Sequence, residues 1–479
     1  MSSGSSGIGC ANLPDHYDPN PEIKELLDRI THYYPKGIDP DLTRTRRLMN
    51  DLGNPHLKLP PVIHVAGTNG KGSIIAYARA MAEQAGLSCH VMTSPHLVRF
   101  NERFVVGGAQ IGDQDLIKAF EEVETINDGR DITAFELITA VGFYLFAQHK
   151  ADITLLEVGM GGRLDATNVI LNPIVSIISV ISRDHTKFLG ETYAEIAAEK
   201  AGIIKPHCAV VVAPQRHAEV FDVIQSMAHD RNAPLWRHGF EWSFDPLPDR
   251  ILLHESADLW PIPYPNLTGE HQWGNAATSA LAMKLFSQQT GIPIPHRDME
   301  QGIGQARWPG RLQKLSRGPL VDLLQQNGAA SHWELWIDGG HNDSCGEVLA
   351  QQLKIWRTQD PSPVYLILGM ITTKEPAEFV ADLLPFAAAI YTIPIPQQEL
   401  SFTADQLAEK INALNALSTR TTHAALPPLF PRENAAAAIA HILTTHTARP
   451  SSIASTAASP KILITGSLYL MGHILTTCS

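Results

Sequence analysis

Short apolar runs rich in β-branched residues alternate with helix-like stretches along most of this chain. PVIHVAG is followed by SIIAYARAMAEQAG, and ADITLLEVGM, PIVSIISVIS and CAVVVAP come later. Apolar strands that alternate with helices indicate a mostly parallel sheet covered on both faces. The pattern restarts after residue 330 in ELWIDGG, PVYLILGM, AAIYTIP and KILITGS. The sequence therefore predicts an α/β fold, with a second, smaller Rossmann-like α/β domain at the C-terminal end.

Composition shifts predict where these domains begin and end. Residues 1–20 are expected to be a flexible leader, residues 21–312 the first domain and residues 319–479 the second. RWPGRLQKLSRGP lies at this boundary, and its Pro, Gly and Arg content suits a junction. FEWSFDPLPDRILLHESADLWPIPYPNL is typical of an inserted hairpin, and HTARPSSIASTAASP of a disordered loop.

The charge balance and the cysteines exclude several classes of protein. A formal net charge of -12 argues against a general binder of nucleic acid or anionic membranes, which needs basic surface. The five cysteines form no CxxC pair, so reduced thiols in a cytoplasmic protein are expected. No apolar run approaches the roughly 18 residues of a membrane span. Small anionic substrates remain possible, since local lysines and arginines can bind them.

The stretch VIHVAGTNGKGS (62–73) has the pattern of a phosphate-binding loop. An apolar strand leads into three glycines and Lys71, and the helix that follows offers free N–H groups to an anion. The strict motif GxxxxGK[ST] is not met, because Val65 replaces its first glycine and Gly72 its final Ser or Thr. An ordinary glycine-rich turn between a strand and a helix is the alternative. Other parts of the chain have to decide between these two interpretations.

Other polar residues follow apolar strands, where functional and structural roles compete. Glu157 ends LLE and could bind Mg²⁺ or simply face solvent. His185 follows PIVSIISVIS and is by itself more typical of a structural histidine. Asn275 could contact a nucleotide or cap a helix. Phe135 could stack on a ligand or belong to the core.

Ordered blocks along the chain resemble one family. They include LGNPH, HVAGTNGKGS, TSPHLVRFNER, TAFELITA, LLEVGMGGRLDATNV, DHTKFLGETYAEIAAEKAGIIKP, RWPGRLQ, IDGGHN, LILGM and ITGSLYL. Together they resemble folylpolyglutamate synthase/dihydrofolate synthase, within the Mur ligase superfamily of ATP-dependent amide-forming ligases. The resemblance implies that the first domain is a P-loop-type ATPase domain. It also implies ATP as cosubstrate, one or two Mg²⁺ ions, a monovalent cation such as K⁺, and a monomer that binds small molecules only.

The resemblance also implies roles for individual residues. Ser94, Glu157 and His185 would coordinate magnesium, and Lys200 would be carbamylated and help to hold a metal. Residues implied in catalysis are Lys71, Lys200 and His341. The nucleotide would contact Gly67, Thr68, Asn69, Gly70, Lys71, Gly72, Ser73, Asn275, Arg311 and Asp338. The acceptor and glutamate would contact Asp39, Arg103, Thr133, Phe135, Leu164, Asp165, Ala166 and Ser467. Around Asp39 the chain departs from the family pattern at Pro40 and Asp41.

The implied reaction is ATP-dependent addition of L-glutamate to 7,8-dihydropteroate and to folates through an acyl phosphate, with release of ADP and phosphate. Three alternatives remain open at this point. The chain could only lengthen folate tails, it could belong to another branch of the superfamily such as the peptidoglycan ligases, or it could hydrolyse nucleotide as a conformational switch. TAFE and GRLDATN argue against the peptidoglycan branch.

Overall fold

The computed structural model describes residues 18–34, 37, 39–256, 258–326, 333–417, 426–447 and 459–478. The chain forms two compact units, one of residues 1–266 with 271–308, the other of residues 267–270 with 309–479. Most of the predicted leader and most of the predicted loop HTARPSSIASTAASP lie outside the described residues.

The first unit contains eleven strands and ten α-helices among its described residues. The strands are β1 (Val62–Ala66), β2 (Cys89–Met92), β3 (Phe104–Val106), β4 (Ala109–Gln110), β5 (Ile153–Glu157), β6 (Val175–Ile178), β7 (Ala209–Val212), β8 (Leu235–Arg237), β9 (Trp242–Pro246), β10 (Ile251–Glu255) and β11 (Asp258–Ile262). The helices are α1 (Pro21–Tyr33), α2 (Leu42–Asp51), α3 (Lys71–Gln84), α4 (Asp113–Asn127), α5 (Ala134–Gln148), α6 (Thr186–Leu189), α7 (Tyr193–Ala201), α8 (Ala218–Asp230), α9 (His271–Thr290) and α10 (His296–Gln305). Short 3₁₀ turns cover Pro55–Leu57, Phe100–Arg103 and Ala166–Val169.

Its main sheet has eight strands in the order β4-β3-β2-β5-β1-β6-β7-β8. The pairings from β2 through β8 are parallel, and only β3 and β4 are added antiparallel at one edge. All five residues of β1 are buried, as expected of a central strand covered on both faces. Because β1, β5 and β6 are parallel neighbours, the loops after them meet at one edge of the sheet.

The segment predicted as an inserted hairpin has one strand more than expected. Strands β9, β10 and β11 form a separate antiparallel sheet with β10 in the centre. Burial alternates along the start of β10, where Ile251 and Leu253 are buried and Leu252 and His254 are partly exposed. One face of this small sheet therefore packs on protein.

The second unit is built on a six-stranded sheet in the order β12-β13-β17-β14-β15-β16. Its strands are β12 (Gln313–Leu315), β13 (Glu334–Asp338), β14 (Val364–Leu368), β15 (Ala387–Thr392), β16 (Leu429–Pro431) and β17 (Lys461–Thr465). Its helices are α11 (Pro319–Gln326), α12 (Asp343–Gln359), α13 (Pro376–Val380), α14 (Ala404–Leu417), α15 (Ala435–Thr447) and α16 (Leu468–Cys478), with a 3₁₀ turn at Leu384–Phe386.

The predicted α/β fold is confirmed in both units. All pairings of the second sheet are parallel except that of β12 with β13. Strand β12 lies within the stretch predicted as a junction, so this stretch contributes an edge strand as well as a connection. Within the part of the chain that the structure describes, no helix is both long and apolar enough to cross a membrane.

Candidate functional site

The loop between β1 and α3 has the geometry of an anion cradle. Gly70 caps α3 with a left-handed φ of 89°, which a side chain would strain, and Lys71 is the first helical residue. A Cβ on Gly72 would lie 2.5 Å from the Trp308 ring, so the helix start fits closely against this indole. The first turn of α3 is therefore held in place, and its free N–H groups point into the loop.

The loop is anchored to the chain that follows β6. The backbone N–H groups of Thr68 and Asn69 donate to the Val180 carbonyl at 2.9 and 3.3 Å. The Thr68 hydroxyl donates to the Ser182 carbonyl at 3.0 Å and accepts the Ser182 N–H at 3.1 Å. These four hydrogen bonds hold the cradle in one conformation, so its shape does not depend on glycine flexibility alone.

Two lysines converge on this loop. Lys71 Nζ donates to the carbonyls of Gly67 and Thr68 at 3.2 and 3.1 Å, and lies 3.8 Å from Glu157 Oε1. The buried Lys200, on α7, donates from Nζ to the same Gly67 carbonyl at 2.9 Å. Burial, helped by the charge of Lys71, lowers the pKa of Lys200 to about 7. Much of Lys200 is therefore a neutral amine at physiological pH.

Two of the three predicted magnesium residues lie together. Glu157 ends β5 and is buried, and its Oε2 accepts the backbone N–H of Ser94 at 3.2 Å. A buried carboxylate is an oxygen donor that suits a hard cation, and this hydrogen bond brings Ser94, a residue with a hydroxyl group, to the same place. His185 caps α6 with its ring partly exposed, 4.0 Å from Asp184. Among the described residues no group of three or more His, Cys, Asp and Glu side chains is preassembled as a metal cluster.

Asn275 lies inside α9 rather than at its start, so the helix-cap interpretation is wrong. Its Nδ2 donates to Gln272 Oε1 at 3.1 Å, and Gln272 Nε2 donates to the Ser73 hydroxyl at 3.4 Å. A Cβ on Gly70 would lie 2.7 Å from Asn275 Oδ1. The amide of Asn275 is thus packed directly on the cradle.

The predicted acceptor residues of TAFE begin α5. Thr133 caps the helix: its Oγ1 accepts the Glu136 N–H at 3.2 Å, while Glu136 Oε2 accepts the Thr133 N–H at 2.7 Å. Phe135 is only partly buried, and its ring covers Gly159, where a Cβ would lie 2.3 Å from Cζ. The ring is held against the start of GMGGRLDATN instead of deep in the core.

Asp165 makes hydrogen bonds within the loop GMGGRLDATN, which follows β5. Its Oδ1 accepts the N–H of Thr167 at 3.0 Å as well as the Thr167 hydroxyl, and its Oδ2 accepts the Met160 N–H at 2.9 Å. Burial raises the pKa of the Asp165 carboxyl, and these hydrogen bonds oppose that rise. Leu164 is partly buried against the core of helices α1, α2, α4 and α5, and Ala166 is buried.

Asp39 is connected to the same region through an arginine that the sequence did not single out. Arg44 donates to Asp39 Oδ2 at 2.9 Å and to both carboxylate oxygens of Glu136 at 3.0 Å. The capping carboxylate of α5 and the Asp39 segment are therefore held by one guanidinium.

Arg103 is almost fully buried, whereas a side chain that binds a substrate directly is usually accessible to solvent. Its Nε donates to His96 Nδ1 at 3.0 Å, and its guanidinium lies 5.2 Å from the Phe100 ring centre. Its carbonyl accepts the Thr93 N–H at 3.1 Å. These contacts fix the segment that carries Ser94.

Four predicted residues belong to the second unit. Asp338 ends β13, and its oxygens accept the N–H groups of Leu312 and Gly340 at 2.8 and 2.7 Å. Burial raises the pKa of Asp338, opposed by the charges of Arg311 and His341. His341 Nδ1 lies 2.9 Å from the Gly339 carbonyl. Ser467 is buried and caps the start of α16 by accepting the Tyr469 N–H at 3.1 Å.

Sequence reasoning missed the residues that support the site from elsewhere in the chain. They are Arg44, His96, Ser182, Gln272 and Trp308. Gln272 and Trp308 stand beside predicted residues, in GEHQWGN and RWPG, and this proximity was a usable signal. Nothing in the spacing of DLTRTRRL distinguishes Arg44 from its neighbours.

Most of the chain is similar in sequence to known proteins. Residues 65–246 match the Mur ligase middle domain family. The dihydrofolate synthase/folylpolyglutamate synthase of Bacillus subtilis is 34% identical over 330 residues, which cover 66% of this chain and 73% of that protein. The Escherichia coli protein of the same description is 31% identical over 392 residues, covering 81% of this chain and 85% of that protein.

Solved structures are similar over nearly the whole length. Escherichia coli FolC in complex with DHPP and ADP superposes with a TM-score of 0.78 at 27% identity, covering 96% of this chain and 97% of that chain. A bifunctional folylpolyglutamate synthase/dihydrofolate synthase with Mn, AMPPNP and L-glutamate bound has a TM-score of 0.76 at 25% identity, covering 96% and 98%.

Proposed function

Because this chain belongs to the dihydrofolate synthase/folylpolyglutamate synthase family, we propose that it is an ATP-dependent ligase that adds L-glutamate to 7,8-dihydropteroate and to folates. The first acceptor yields dihydrofolate, and the second yields a longer polyglutamate tail. The observation that carries the proposal is the fixed cradle at Gly67–Ser73, on which Lys71 and Lys200 converge. ADP, phosphate and a new amide are the products.

A carboxylate does not condense with an amine in neutral water unless it is activated. The acceptor carboxylate attacks the γ-phosphorus of ATP, the bond to the β-phosphate oxygen breaks, and an acyl phosphate forms. The glutamate amine then attacks the acyl carbon, loses a proton, and expels phosphate. Helix N–H groups at Gly70–Ser73 and the Lys71 ammonium would bind the phosphate charge that moves between these groups.

Glu157, with Ser94 and His185, would hold Mg²⁺, and the buried carboxylate next to Ser94 supports this assignment. When bound, this ion supplies charge neutralisation at the phosphate oxygens. Lys71 Nζ lies 3.8 Å from Glu157 Oε1, so a metal ion held by this carboxylate would lie close to the lysine. A K⁺ ion is proposed only from the family resemblance.

Lys200 is proposed to carry a carbamate. A neutral lysine amine can add CO₂ and release a proton, which turns a cation into a carboxylate that can bind a metal. The pKa of about 7, lowered by burial, keeps much of this amine unprotonated at neutral pH. The hydrogen bond from Lys200 to the Gly67 carbonyl supports a role for this carbamate beside the cradle.

Further contacts are proposed on the same basis. Asn275 would contact the nucleotide, which its packing on Gly70 supports. Arg311 and Asp338 are proposed as nucleotide contacts, and His341, Arg103 and Ser467 as residues for glutamate. Phe135 would stack on the pteridine ring, with the segment Leu164–Ala166 and Asp39 around it. The protein is proposed to work as a cytoplasmic monomer.

The test is ADP release with ATP, Mg²⁺ and L-glutamate, in parallel reactions with 7,8-dihydropteroate, tetrahydrofolate or no acceptor. Release with both acceptors and none without them is expected of the bifunctional ligase. Release with tetrahydrofolate alone would restrict the protein to tail lengthening. Steady ADP release without any acceptor would overturn the ligase and identify a nucleotide-hydrolysing switch.

A further inference from the structure

His64 lies in the middle of β1. It is paired with Leu156 of β5 and Ser176 of β6, and its side chain is completely buried. Burial, with a smaller contribution from the charge of Lys205, lowers its pKa to about 3. The ring is therefore neutral at physiological pH, and its two nitrogens have different hydrogen-bonding roles.

The hydrogen bonds around Thr167 fix which nitrogen carries the proton. His64 Nε2 lies 2.9 Å from Thr167 Oγ1. The single hydroxyl hydrogen of Thr167 goes to Asp165 Oδ1. Thr167 Oγ1 can then only accept from His64, so Nε2 bears the hydrogen. Nδ1 has no hydrogen-bond partner in the described part of the chain, which suits a nitrogen without a hydrogen.

The series of hydrogen bonds from His64 through Thr167 ends on Asp165, which holds the loop after β5. Asp165 accepts from Thr167 on one oxygen and from the Met160 N–H on the other, so it ties the two ends of this loop together. Gly159, one residue earlier, lies directly against the Phe135 ring. A shift of Asp165 would therefore alter the surface against which this ring is held.

We propose that His64 is a positioning residue for the acceptor substrate: it donates to Thr167, Thr167 donates to Asp165, and Asp165 holds the loop 159–167 in the shape that receives the pteridine ring beside Phe135. The inference rests on the proposed function for the acceptor role of Phe135 and Asp165. His64 stands three residues before the proposed phosphate loop in the sequence, yet its only side-chain hydrogen bond within the described residues leads to the acceptor side.

Steady-state kinetics test this with four variants. His64→Leu removes the donor, His64→Gln keeps a donor near the position of Nε2, Thr167→Val removes the hydroxyl, and Thr167→Ser keeps it. We expect His64→Leu and Thr167→Val each to raise KM for 7,8-dihydropteroate about tenfold, with KM for ATP changed by less than about twofold. His64→Gln and Thr167→Ser should restore most of the acceptor KM.

The double variant His64→Leu/Thr167→Val should be no worse than Thr167→Val alone, since both changes break the same chain. Equal rises in KM for ATP and for the acceptor would indicate a merely structural role and overturn the proposal. So would an unchanged acceptor KM in a folded His64→Leu protein. If the wild-type protein uses only tetrahydrofolate, the same comparison is made with that acceptor.

A measurement on the folded protein without turnover separates this inference from the proposed function. Histidine ¹⁵N NMR of the wild type should show His64 as the neutral tautomer with hydrogen on Nε2, assigned by its loss in His64→Gln. Hydrogen on Nδ1, or a charged ring at neutral pH, would refute the donor chain even if the ligase activity is established. Conversely, the expected tautomer in a wild-type protein that releases no ADP with either acceptor would refute the positioning role together with the function.

Discussion

At the residue scale, the charge of Lys71 is held where a phosphate would need it. Its ammonium donates to the carbonyls of Gly67 and Thr68, so the side chain is folded back over its own loop. Removing it leaves the strand, the glycines and the helix start in place. The lysine thus adds charge to a cradle whose shape is set by other residues.

We expect Lys71→Ala to lower kcat/KM by about a hundredfold or more, because one preorganised cation is lost from the charge that develops on phosphate. ADP release under saturating acceptor and glutamate measures this. Lys118→Ala is the matched control, since that lysine is 73% exposed on α4. Near-normal turnover of a folded Lys71→Ala protein would remove the lysine from the mechanism.

Lys200→Ala should lose activity to a similar degree and recover part of it when acetate or formate is added. A small carboxylate can occupy the space of the proposed carbamate and supply its oxygens. Lys205→Ala serves as the control, since it removes a half-buried lysine of the same segment that has no proposed role. Absence of any rescue, with nucleotide still bound, would argue that Lys200 acts as an amine.

Many residues of the candidate site could be predicted from the sequence, and there is a physical reason why the others could not. The glycines, Lys71 and the strand-end Glu157 follow from local pattern, because a loop between a strand and a helix needs such residues to bind an anion. The pairing of Arg44 with Glu136, or of Arg103 with His96, depends on which elements pack together. The resemblance suggested Arg103 as a glutamate contact, but its burial could not be foreseen.

At the scale of elements, helix α3 carries the cradle and is positioned by α10. A Cβ on Gly302 of α10 would lie 2.5 Å from the backbone of Met81, so the two helices approach closely at this point. Gly304, two residues further along the same helix, has open space around it. The two glycines separate the effect of close packing from that of helix propensity.

Gly302→Ala should lower the free energy of unfolding by about 1–3 kcal/mol, because the added methyl group forces the helices apart. Gly304→Ala should instead raise it by up to about 1 kcal/mol, since alanine favours a helix. Urea unfolding measures both. We also expect a higher KM for ATP in Gly302→Ala only. Equal stability of the two variants would show that α10 can move away from α3 without cost.

The alternation of strands and helices identified the strands β1, β5, β6 and β7 of the first unit and the strands β13, β14, β15 and β17 of the second. The short edge strand β12 was placed in a junction, because three residues give no periodic signal. Strands β9–β11 were expected as a hairpin, since the turn between β10 and β11 is not marked by a clear sequence pattern. Edge pairings of this kind depend on the neighbouring strand.

At the scale of the whole molecule, an acidic chain concentrates cations at the proposed anion site. The formal net charge is -12, yet Lys71 and Lys200 both reach the Gly67 carbonyl. Their mutual repulsion is tolerated because burial lowers the pKa of Lys200. The overall charge therefore says little about the potential inside the site.

The buried His64 makes stability depend on pH. Its pKa of about 3 in the folded protein lies below the value of 6.5 expected when unfolded, so the unfolded chain binds the extra proton first. The free energy of unfolding that depends on a neutral His64 is fully present above pH 6.5, and it is lost as the pH falls towards 3. Between pH 7 and 5 the wild type should lose about 2 kcal/mol more than His64→Gln. Urea midpoints at both pH values measure this, and equal losses would show that His64 is protonated in the folded state.

The sequence by itself determined the α/β fold, the parallel order implied by apolar strands, and the residues of the proposed phosphate loop, because these follow from periodicity and from the local needs of a turn that could bind an anion. Only the tertiary structure decided which side chains meet: Lys200 on the Gly67 carbonyl, Asn275 on Gly70, and His64 directed through Thr167 to Asp165. Such contacts join residues far apart in the chain, and hydrogen-bond direction and burial exist only once the elements are packed.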